Sequence, residues 1–241
     1  LMKNENMFPK GVFKPMVKTR SIDDVPMMGL TLWSETLNDF EIRQIAEEVT
    51  SEIEKVKDVA ITKEIGGRTR ELKVVLDKDK MAENGVDALS IMQMIQANNG
   101  SSQSGSFVSN DKEYLLTTGQ FLSTSEDVEN LVVGVNANMP VYLKQVATVQ
   151  DGPSTPRSYV SFGYGKANSN YTKNKSEYPA VTISIGKVKG ADAMKIADKI
   201  LEKVEGLKKT LITDDVHVEV SRNYGETASH KVGELLMHLG I

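Results

Sequence analysis

The chain has 241 residues, of which 39% are hydrophobic and 26% are charged, and its formal net charge at pH 7 is −4. This length and apolar content are enough to bury one or two cores. The dispersed, mixed charges argue against a nucleic-acid partner, and no apolar run approaches the roughly 18 residues that a membrane helix needs. Cysteine is absent, which excludes disulfides, thiolate nucleophiles and thiolate metal sites.

The N-terminal part of the chain contains a β-α-β unit. Residues 1–24 mix charges with prolines and are expected to form an extended connector. Residues 27–33 alternate as in a strand, with apolar side chains on both faces. Asn38 followed by Glu41 is a capping box, and apolar residues then recur at three- and four-residue steps as far as Val56. This pattern predicts an amphipathic helix.

The unit is completed by a strand and followed by another. The residue pattern predicts strands at Val59–Ile65 and Arg70–Leu76. Gly66 and Gly67 stand between them, and a glycine pair is a strong tight-turn signal. These two strands are therefore expected to be joined by a tight turn.

The same order of elements returns in the C-terminal part of the chain. Alternating apolar residues predict a strand at 180–186, an apolar stripe predicts a helix at 191–207, and clean alternation predicts a closing strand at 216–220. Two β-α-β units with their helices on one face of a sheet describe an α+β sandwich of the ferredoxin-like kind. The fold class predicted from the sequence is therefore a split ferredoxin-like repeat, with a small α+β insert between its halves.

The predicted insert covers residues 81–151. Its first helix ends near Asn98, and the low-complexity run Gly-Ser-Ser-Gln-Ser-Gly-Ser at 100–106 is expected to be a mobile or protruding tip. Strands are predicted at 114–121, 131–135 and 141–149, with a short helix between the first two. The insert is therefore expected to be an α+β subdomain in its own right.

No arrangement of residues for catalysis or metal binding emerges from the sequence. His217 alternates with valines on a strand, while His230 and His238 lie two helical turns apart, too far for a ligand pair on adjacent turns. Gly66-Gly67-Arg68 lacks the features of a phosphate loop, and no Gly-x-Ser-x-Gly elbow is present. We expect no enzymatic activity, no cofactor and no metal site. The 11 methionines leave a soft-metal-binding domain as an alternative, although core packing explains them better.

Several short motifs occur in the order in which one family of exporters has them. They are SIDDVP at 21–26, IGGR at 65–68, VENLVV at 128–133, PVYLKQVA at 140–147, VQDGP at 149–153 and RNYGET at 222–227. In these motifs the chain resembles the first periplasmic loop of resistance–nodulation–division (RND) efflux permeases. It is similar to their acriflavine-resistance branch more than to any enzyme, and the resemblance runs from about Asp23 to the end of the chain.

The resemblance implies a domain organisation. Residues 25–80 and 152–225 would form a split porter subdomain, and residues 81–151 would form a docking subdomain. Residues 1–24 would connect from a preceding porter subdomain, and residues 226–241 would begin a transmembrane helix that the chain does not complete.

The resemblance also implies a function and partners. The full-length protein would be a homotrimeric multidrug exporter of the bacterial inner membrane, driven by proton antiport, and this part of it would be periplasmic. Its partners would be a periplasmic adaptor protein, an outer-membrane channel and a small-molecule export substrate. The alternative from another class is a soluble regulatory module that binds a small molecule, because paired β-α-β units also make sensors.

Two sets of candidate site residues follow from this resemblance. Exposed aromatic side chains of the host sheet could line the substrate path, although core packing is the plainer role for each. They are Trp33, Tyr159 and Phe162. The tip of the insert should reach into the neighbouring protomer. Its candidate residues are Asn98, Asn99, Gly100, Ser101, Gly105, Phe107 and Asp111.

Overall fold

A computed structural model describes residues 25–100, 102–109, 112–118, 121–171 and 177–240. The connector predicted at residues 1–24 lies outside the described residues. The chain divides into two compact units. One consists of the described parts of Leu1–Gly67 and Arg157–Ile241, and the other of those of Arg68–Pro156.

The structure contains eleven described strands and seven described helices, and their order along the chain is the following. They are β1 (Met28–Ser34), α1 (Asp39–Ile53), β2 (Val59–Ile65), β3 (Arg70–Leu76), α2 (Lys78–Glu83), α3 (Ala88–Asn98), β4 (Ser102–Ser109), β5 (Lys112–Thr118), α4 (Ser125–Glu129), β6 (Val132–Asn136), β7 (Met139–Tyr142), α5 (Leu143–Val146), β8 (Ala147–Pro153), β9 (Ser161–Phe162), β10 (Tyr178–Lys187), α6 (Ala193–Leu207), β11 (Val216–Asn223) and α7 (Tyr224–Leu239).

The first unit has the ferredoxin-like topology that the sequence predicts. Its sheet is antiparallel in the order β11-β1-β10-β2, and the short strand β9 pairs with the start of β10. The two β-α-β halves are β1-α1-β2 and β10-α6-β11, so the predicted split α+β fold is confirmed. The segment predicted to begin a membrane helix corresponds to α7. Among the described residues, no helix combines the length and the apolar content that crossing a membrane requires.

Both helices of the sandwich pack on one face of this sheet. Leu30 and Leu32 of β1 and Ile183 of β10 are fully buried against the apolar stripes of α1 and α6. Burying one such side chain contributes about 1.5–3 kcal/mol. The predicted capping box begins α1, where Asn38 accepts hydrogen bonds from the amides of Phe40 and Glu41. This layer is therefore specified by the periodicity and the cap seen in the sequence.

The tight turn predicted between β2 and β3 joins strands that do not pair with each other. Strand β2 pairs with β10, and β3 pairs with β8 in the second unit. Gly66 and Gly67 both have positive φ, +86° and +68°, as a glycine turn requires. The predicted strands and the glycine turn are therefore present, but the two strands do not form a hairpin. A glycine pair fixes a change of direction and leaves open which strand the chain pairs with next.

The second unit is built around the β3–β8 pair and a separate core. That core contains Ile91, Val133, Leu143 and Val146, all of which are buried. The strand predicted at 141–149 is instead β7, a single helical turn (α5) and β8. The turn is favourable because it places Leu143 and Val146, three residues apart, on the same buried side. Since β3 pairs with β8, this unit is wider than the insert predicted at residues 81–151.

Gly67 provides a test of the junction at which the chain leaves the first unit. A Cβ there would come within 2.8 Å of Arg43 Cβ, the Asp39 carbonyl oxygen and Val181 Cγ2. We expect Gly67→Ala to lower the free energy of unfolding by about 2–5 kcal/mol, through the left-handed conformation and overpacking together. Urea unfolding followed by the fluorescence of Trp33, the single tryptophan, measures this loss.

Gly190 is the matched control, because it has a similar φ of +78° but no atom within 4 Å of an added Cβ. Gly190→Ala should cost only the backbone part, about 1–2 kcal/mol. Equal losses in the two variants would contradict the packing argument.

Candidate functional site

Trp33 lies near the end of β1, on the sheet face opposite the two sandwich helices. Its neighbours across the sheet are Ala180 on β10 and His217 on β11. Successive side chains of β1 point to opposite faces of the sheet, and the even-numbered ones pack against the helices. Trp33 points to the other face, yet it is only 5% exposed. The sheet therefore has a second buried layer, and its central residue is the single tryptophan of the chain.

Four rings surround the Trp33 indole. The ring of Phe162 is stacked on it, with centroids 5.1 Å apart and planes 13° from parallel. Tyr178 and His217 approach at centroid distances of 4.7 and 4.4 Å, and Tyr164 meets the indole edge-on at 5.9 Å. Aromatic pairs with such geometries contribute about 0.5–1.5 kcal/mol each beyond their buried area. We call these five residues the aromatic cluster.

A short extended segment covers Trp33. Residues 160–164, here called the strap, alternate so that Val160, Phe162 and Tyr164 are half-buried while the residues between them are exposed. The strap is attached to β10 by the two-residue strand β9 and by the Ala180 amide, which donates to the Val160 carbonyl at 3.0 Å. Val160 packs over Gly66, where an added Cβ would lie only 2.6 Å from Val160 Cγ2.

The structure brings together two of the three aromatic residues predicted for the substrate path. Trp33 and Phe162 are stacked, whereas Tyr159 is 81% exposed and lies outside the cluster. The reason is the period of an extended chain, in which residues three positions apart point to opposite sides. Tyr159 and Phe162 therefore cannot share one face of this segment.

Two tyrosine hydroxyls of the aromatic cluster lie next to carboxylates. The Tyr164 hydroxyl donates to Glu219 Oε1 at 2.8 Å, and burial together with that carboxylate raises the pKa of Tyr164. Burial and the nearby Glu35 carboxylate raise the pKa of Tyr178 in the same way. Both hydroxyls therefore stay protonated at neutral pH and act as hydrogen-bond donors.

The indole nitrogen of Trp33 differs from these tyrosine hydroxyls in having no hydrogen-bond partner among the described residues. Trp33 Nε1 is nevertheless buried. A buried donor without a partner costs about 1–3 kcal/mol. Buried side-chain donors in folded proteins nearly always have partners, so this one is a feature that packing alone does not explain.

Sequence reasoning missed most of the aromatic cluster. Tyr164 could have been found, because it follows Phe162 by two residues and so lies on the same side of the strap. Tyr178 and His217 come close to Trp33 only through the strand pairing of β1 with β10 and β11. Strand register across more than 100 residues of intervening chain is not visible in one sequence.

The predicted docking tip forms a β-hairpin. Strands β4 and β5 pair antiparallel, with Gly105 opposite Leu116 and Phe107 opposite Tyr114. The glycine–serine run at 100–106, expected to be a mobile or protruding tip, is thus largely strand. Its low β-propensity is overridden because the opposite strand, Lys112–Thr118, contains the β-formers that complete the ladder.

The remaining tip candidates lie at the base of the hairpin or outside the described residues. Asn98 is the last residue of α3, and Asn99 is the C-cap of that helix. The side-chain oxygen of Asn99 accepts a hydrogen bond from the Leu122 amide at 3.1 Å. This bond links the two ends of the hairpin segment. Gly100 follows directly and has open space around its Cα. Ser101 and Asp111 lie outside the described residues.

Comparison with known proteins gives one family and several relatives. A model of the AcrB/AcrD/AcrF family matches residues 1–234. The chain is 26% identical over 162 residues to the cation efflux system protein CusA of Escherichia coli K12, covering 66% of this chain and 14% of that protein. It is 24% identical over 237 residues to the multidrug resistance protein MdtC of Yersinia enterocolitica, covering 96% of this chain and 21% of that protein.

The multidrug resistance protein MdtC of Pantoea ananatis gives a similar match. It is 26% identical over 243 residues, which cover 98% of this chain and 22% of that protein. The chain therefore spans only about a fifth of the length of the MdtC relatives, and less of CusA.

The hydrogen bond from Tyr164 of the strap to Glu219 of β11 can be tested by measuring the free energy of unfolding. Tyr164→Phe removes the hydroxyl that donates to Glu219 and leaves the ring in place. We expect it to lower the free energy of unfolding by about 0.5–1.5 kcal/mol, the net value of one hydrogen bond, in urea titrations followed by Trp33 fluorescence. Tyr159 directly precedes the strap and is exposed. Tyr159→Phe should therefore change the free energy of unfolding by less than about 0.5 kcal/mol. A smaller loss for Tyr164→Phe than for Tyr159→Phe would refute the role of this bond.

Proposed function

This chain belongs to the AcrB/AcrD/AcrF family of RND permeases, and we propose that it forms the periplasmic porter and docking portion of a proton-driven efflux transporter. The single observation that carries the proposal is a ferredoxin-like sheet interrupted between β2 and β10 by a second unit with its own core. The resemblance implies this division of a periplasmic loop into porter and docking parts.

We assign the porter role to the first unit and the docking role to the second. The docking part would then extend from Arg68 to Pro156, because β3 and β8 pair within it. Helix α7 would lead from the porter part toward the inner membrane. In this proposal the full-length protein is a transporter with no chemical catalysis in this portion, and this chain lies in the periplasm.

The aromatic cluster is our candidate for the contribution of this chain to the substrate path. Stacked rings offer apolar, planar surface to an organic cargo, and the hydroxyls and carboxylates at their edge offer polar contacts. Trp33 and Phe162 would form the contact surface, with Tyr159 at the outer rim. Such a surface favours an organic molecule as the export substrate, as the name of the MdtC relatives also does.

The second unit has surfaces suited to protein partners. Leu89 and Met92 of α3 and Val135 and Met139 of the β6–β7 hairpin are all at least half exposed, between 50% and 70%. Exposed apolar side chains of this kind are common where proteins meet. We propose that these surfaces contact the periplasmic adaptor and the outer-membrane channel, and that the β4–β5 hairpin contacts the neighbouring protomer of a homotrimer.

Export by the full-length transporter tests the substrate path. In a strain that lacks other efflux pumps, Trp33→Leu should reduce export of a planar aromatic dye several-fold, because the aromatic stacking surface is lost while the side chain stays apolar. Tyr142→Leu, which removes an aromatic side chain from the second unit, should leave dye export unchanged. Membrane levels of all variants are measured by immunoblot. Wild-type export by the Trp33→Leu protein at equal membrane level would contradict the proposed path.

Removal of the hairpin tests the proposed trimer contact. Replacing residues 102–118 of the full-length transporter with a short glycine–serine linker should shift the purified protein from trimer toward monomer in sedimentation. In the 241-residue chain, where Trp33 is the single tryptophan, the same replacement should leave the fluorescence of Trp33 unchanged, because the hairpin and Trp33 belong to different units. A fully trimeric variant would show that the hairpin does not hold the protomers together.

A further inference from the structure

The base of the β4–β5 hairpin contains one of the two Asn-Gly steps in the chain. These steps are Asn84-Gly85, at the end of α2, and Asn99-Gly100, at the end of α3. In such a step the backbone nitrogen of the glycine can attack the side-chain amide carbon of the asparagine, because glycine has no side chain that hinders the approach. The attack converts the asparagine into an acid. In a folded protein its rate depends on how freely the two groups can move, and the two steps differ in this respect.

Hydrogen bonds hold both reacting groups of the Asn84-Gly85 step. The Gly85 amide, which would be the nucleophile, donates to the Ala82 carbonyl at 3.3 Å. Asn84 Nδ2, which would be the leaving group, donates to the Lys80 carbonyl at 2.8 Å. These two bonds must open before the step can react, and the population of the reactive state falls accordingly.

The Asn99-Gly100 step has no such bonds. Asn99 is exposed, and among the described residues neither the Gly100 amide nor Asn99 Nδ2 forms a hydrogen bond. The only bond of the Asn99 side chain within that part of the chain is the one that its oxygen accepts from the Leu122 amide, at 3.1 Å. The same oxygen gains negative charge when the adjacent carbon is attacked, and a backbone N–H directed at it stabilises that charge. This bond therefore favours the attack, whereas the side-chain bond of Asn84 holds the leaving nitrogen.

We propose that Asn99 is a site of spontaneous deamidation and that the fold protects Asn84 from the same reaction. The Gly100 nitrogen loses its proton and forms a bond to Asn99 Cγ. The bond from Cγ to Nδ2 then breaks, and Nδ2 leaves with that proton as ammonia. Water next opens the resulting succinimide ring at either of the two bonds from its nitrogen to a carbonyl carbon. Opening at Cγ gives aspartate, and opening at the main-chain carbon gives isoaspartate.

The modification would change the base of the hairpin. Both products add a negative charge at an exposed position, and isoaspartate also lengthens the main chain by a methylene group between α3 and β4. The hydrogen bond between Asn99 and the Leu122 amide, which links the two ends of the hairpin segment, would then lose its present geometry. The reaction is independent of the proposed function and can be measured on the chain alone.

The test compares the two Asn-Gly steps within one protein. The folded 241-residue chain is aged in mildly alkaline buffer, and peptide mapping by mass spectrometry follows the conversion of each asparagine to an acid. Conversion should be at least about tenfold faster at Asn99 than at Asn84, the factor expected when two net hydrogen bonds must open at Asn84. In concentrated urea, where both steps lose their folded surroundings, the two rates should become similar.

A glycine variant tests the attacking nitrogen. The φ of Gly100 lies outside the left-handed region and no atom lies within 4 Å of an added Cβ, so Gly100→Ala should keep the fold. It should slow the conversion of Asn99 several-fold, because the new methyl group hinders the attack. Gly152→Ala is the matched control, since Gly152 is equally unconstrained and belongs to the same unit. It should leave the rate at Asn99 unchanged.

Three results would overturn the proposal. The first is a folded chain in which Asn84 reacts as fast as Asn99 or faster. The second is an undiminished rate at Asn99 in Gly100→Ala. The third is a rate difference that persists in urea, because the fold would then not be what protects Asn84.

Discussion

Every residue of β1 is buried, and this constraint governs both layers of the first unit. The central strand must fill the helical core with Leu30 and Leu32 and, on its other face, carry Thr31 and Trp33. A strand that is buried on both faces favours apolar side chains, because a buried polar group needs a hydrogen-bond partner. Thr31 is polar, and its hydroxyl forms a hydrogen bond with that of Thr182 across the sheet, at 2.9 Å. The strand thus has little freedom to change on either face, and the aromatic layer depends on the same backbone as the core.

A ferredoxin-like sheet can contain so long an interruption because the insert closes on itself. Within the second unit, β3 and β8 bring its two ends together, and the Ser154 amide donates to the Thr69 carbonyl at 2.8 Å. Arg70 forms two hydrogen bonds with Asp151, at 2.8 and 2.5 Å. Since the ends meet, pairing β2 with β10 requires little more loop closure than a short connection would.

The sequence contains enough local information for most elements and too little for their pairing. The capping box at Asn38 and the apolar stripes of α1 and α6 are signals within a few residues, and these predictions were confirmed. Local signals do not determine an outcome that depends on distant partners. Gly66 and Gly67 required a turn but did not determine the partner of β3. The glycine–serine run is largely strand because β5 pairs with it.

The candidate site shows the same limit in more detail. The sequence analysis named Trp33 and Phe162 as candidates. It also named Tyr159, although the period of two in an extended segment places Tyr159 on the opposite side from Phe162. His217 and Tyr178 could not be found, because only the register of three strands places them beside the indole. The unpaired indole donor was equally invisible, since it is defined by the absence of an acceptor in three dimensions within the described residues.

The fold by itself does not determine the function, because paired β-α-β units serve both transporters and soluble sensors. The family match places the chain in a family of transporters. It does not explain why the sheet of the first unit has a buried aromatic layer. Phenylalanine at position 33 would remove the buried donor and keep a ring, but it would give up contacts that the larger indole makes. Departures from the most stable packing are commonly found where a protein binds something. The unpaired donor thus lies on a strand that is bonded on both sides, beneath a strap that few bonds hold. This combination distinguishes the aromatic layer from the helical core on the other face of the sheet.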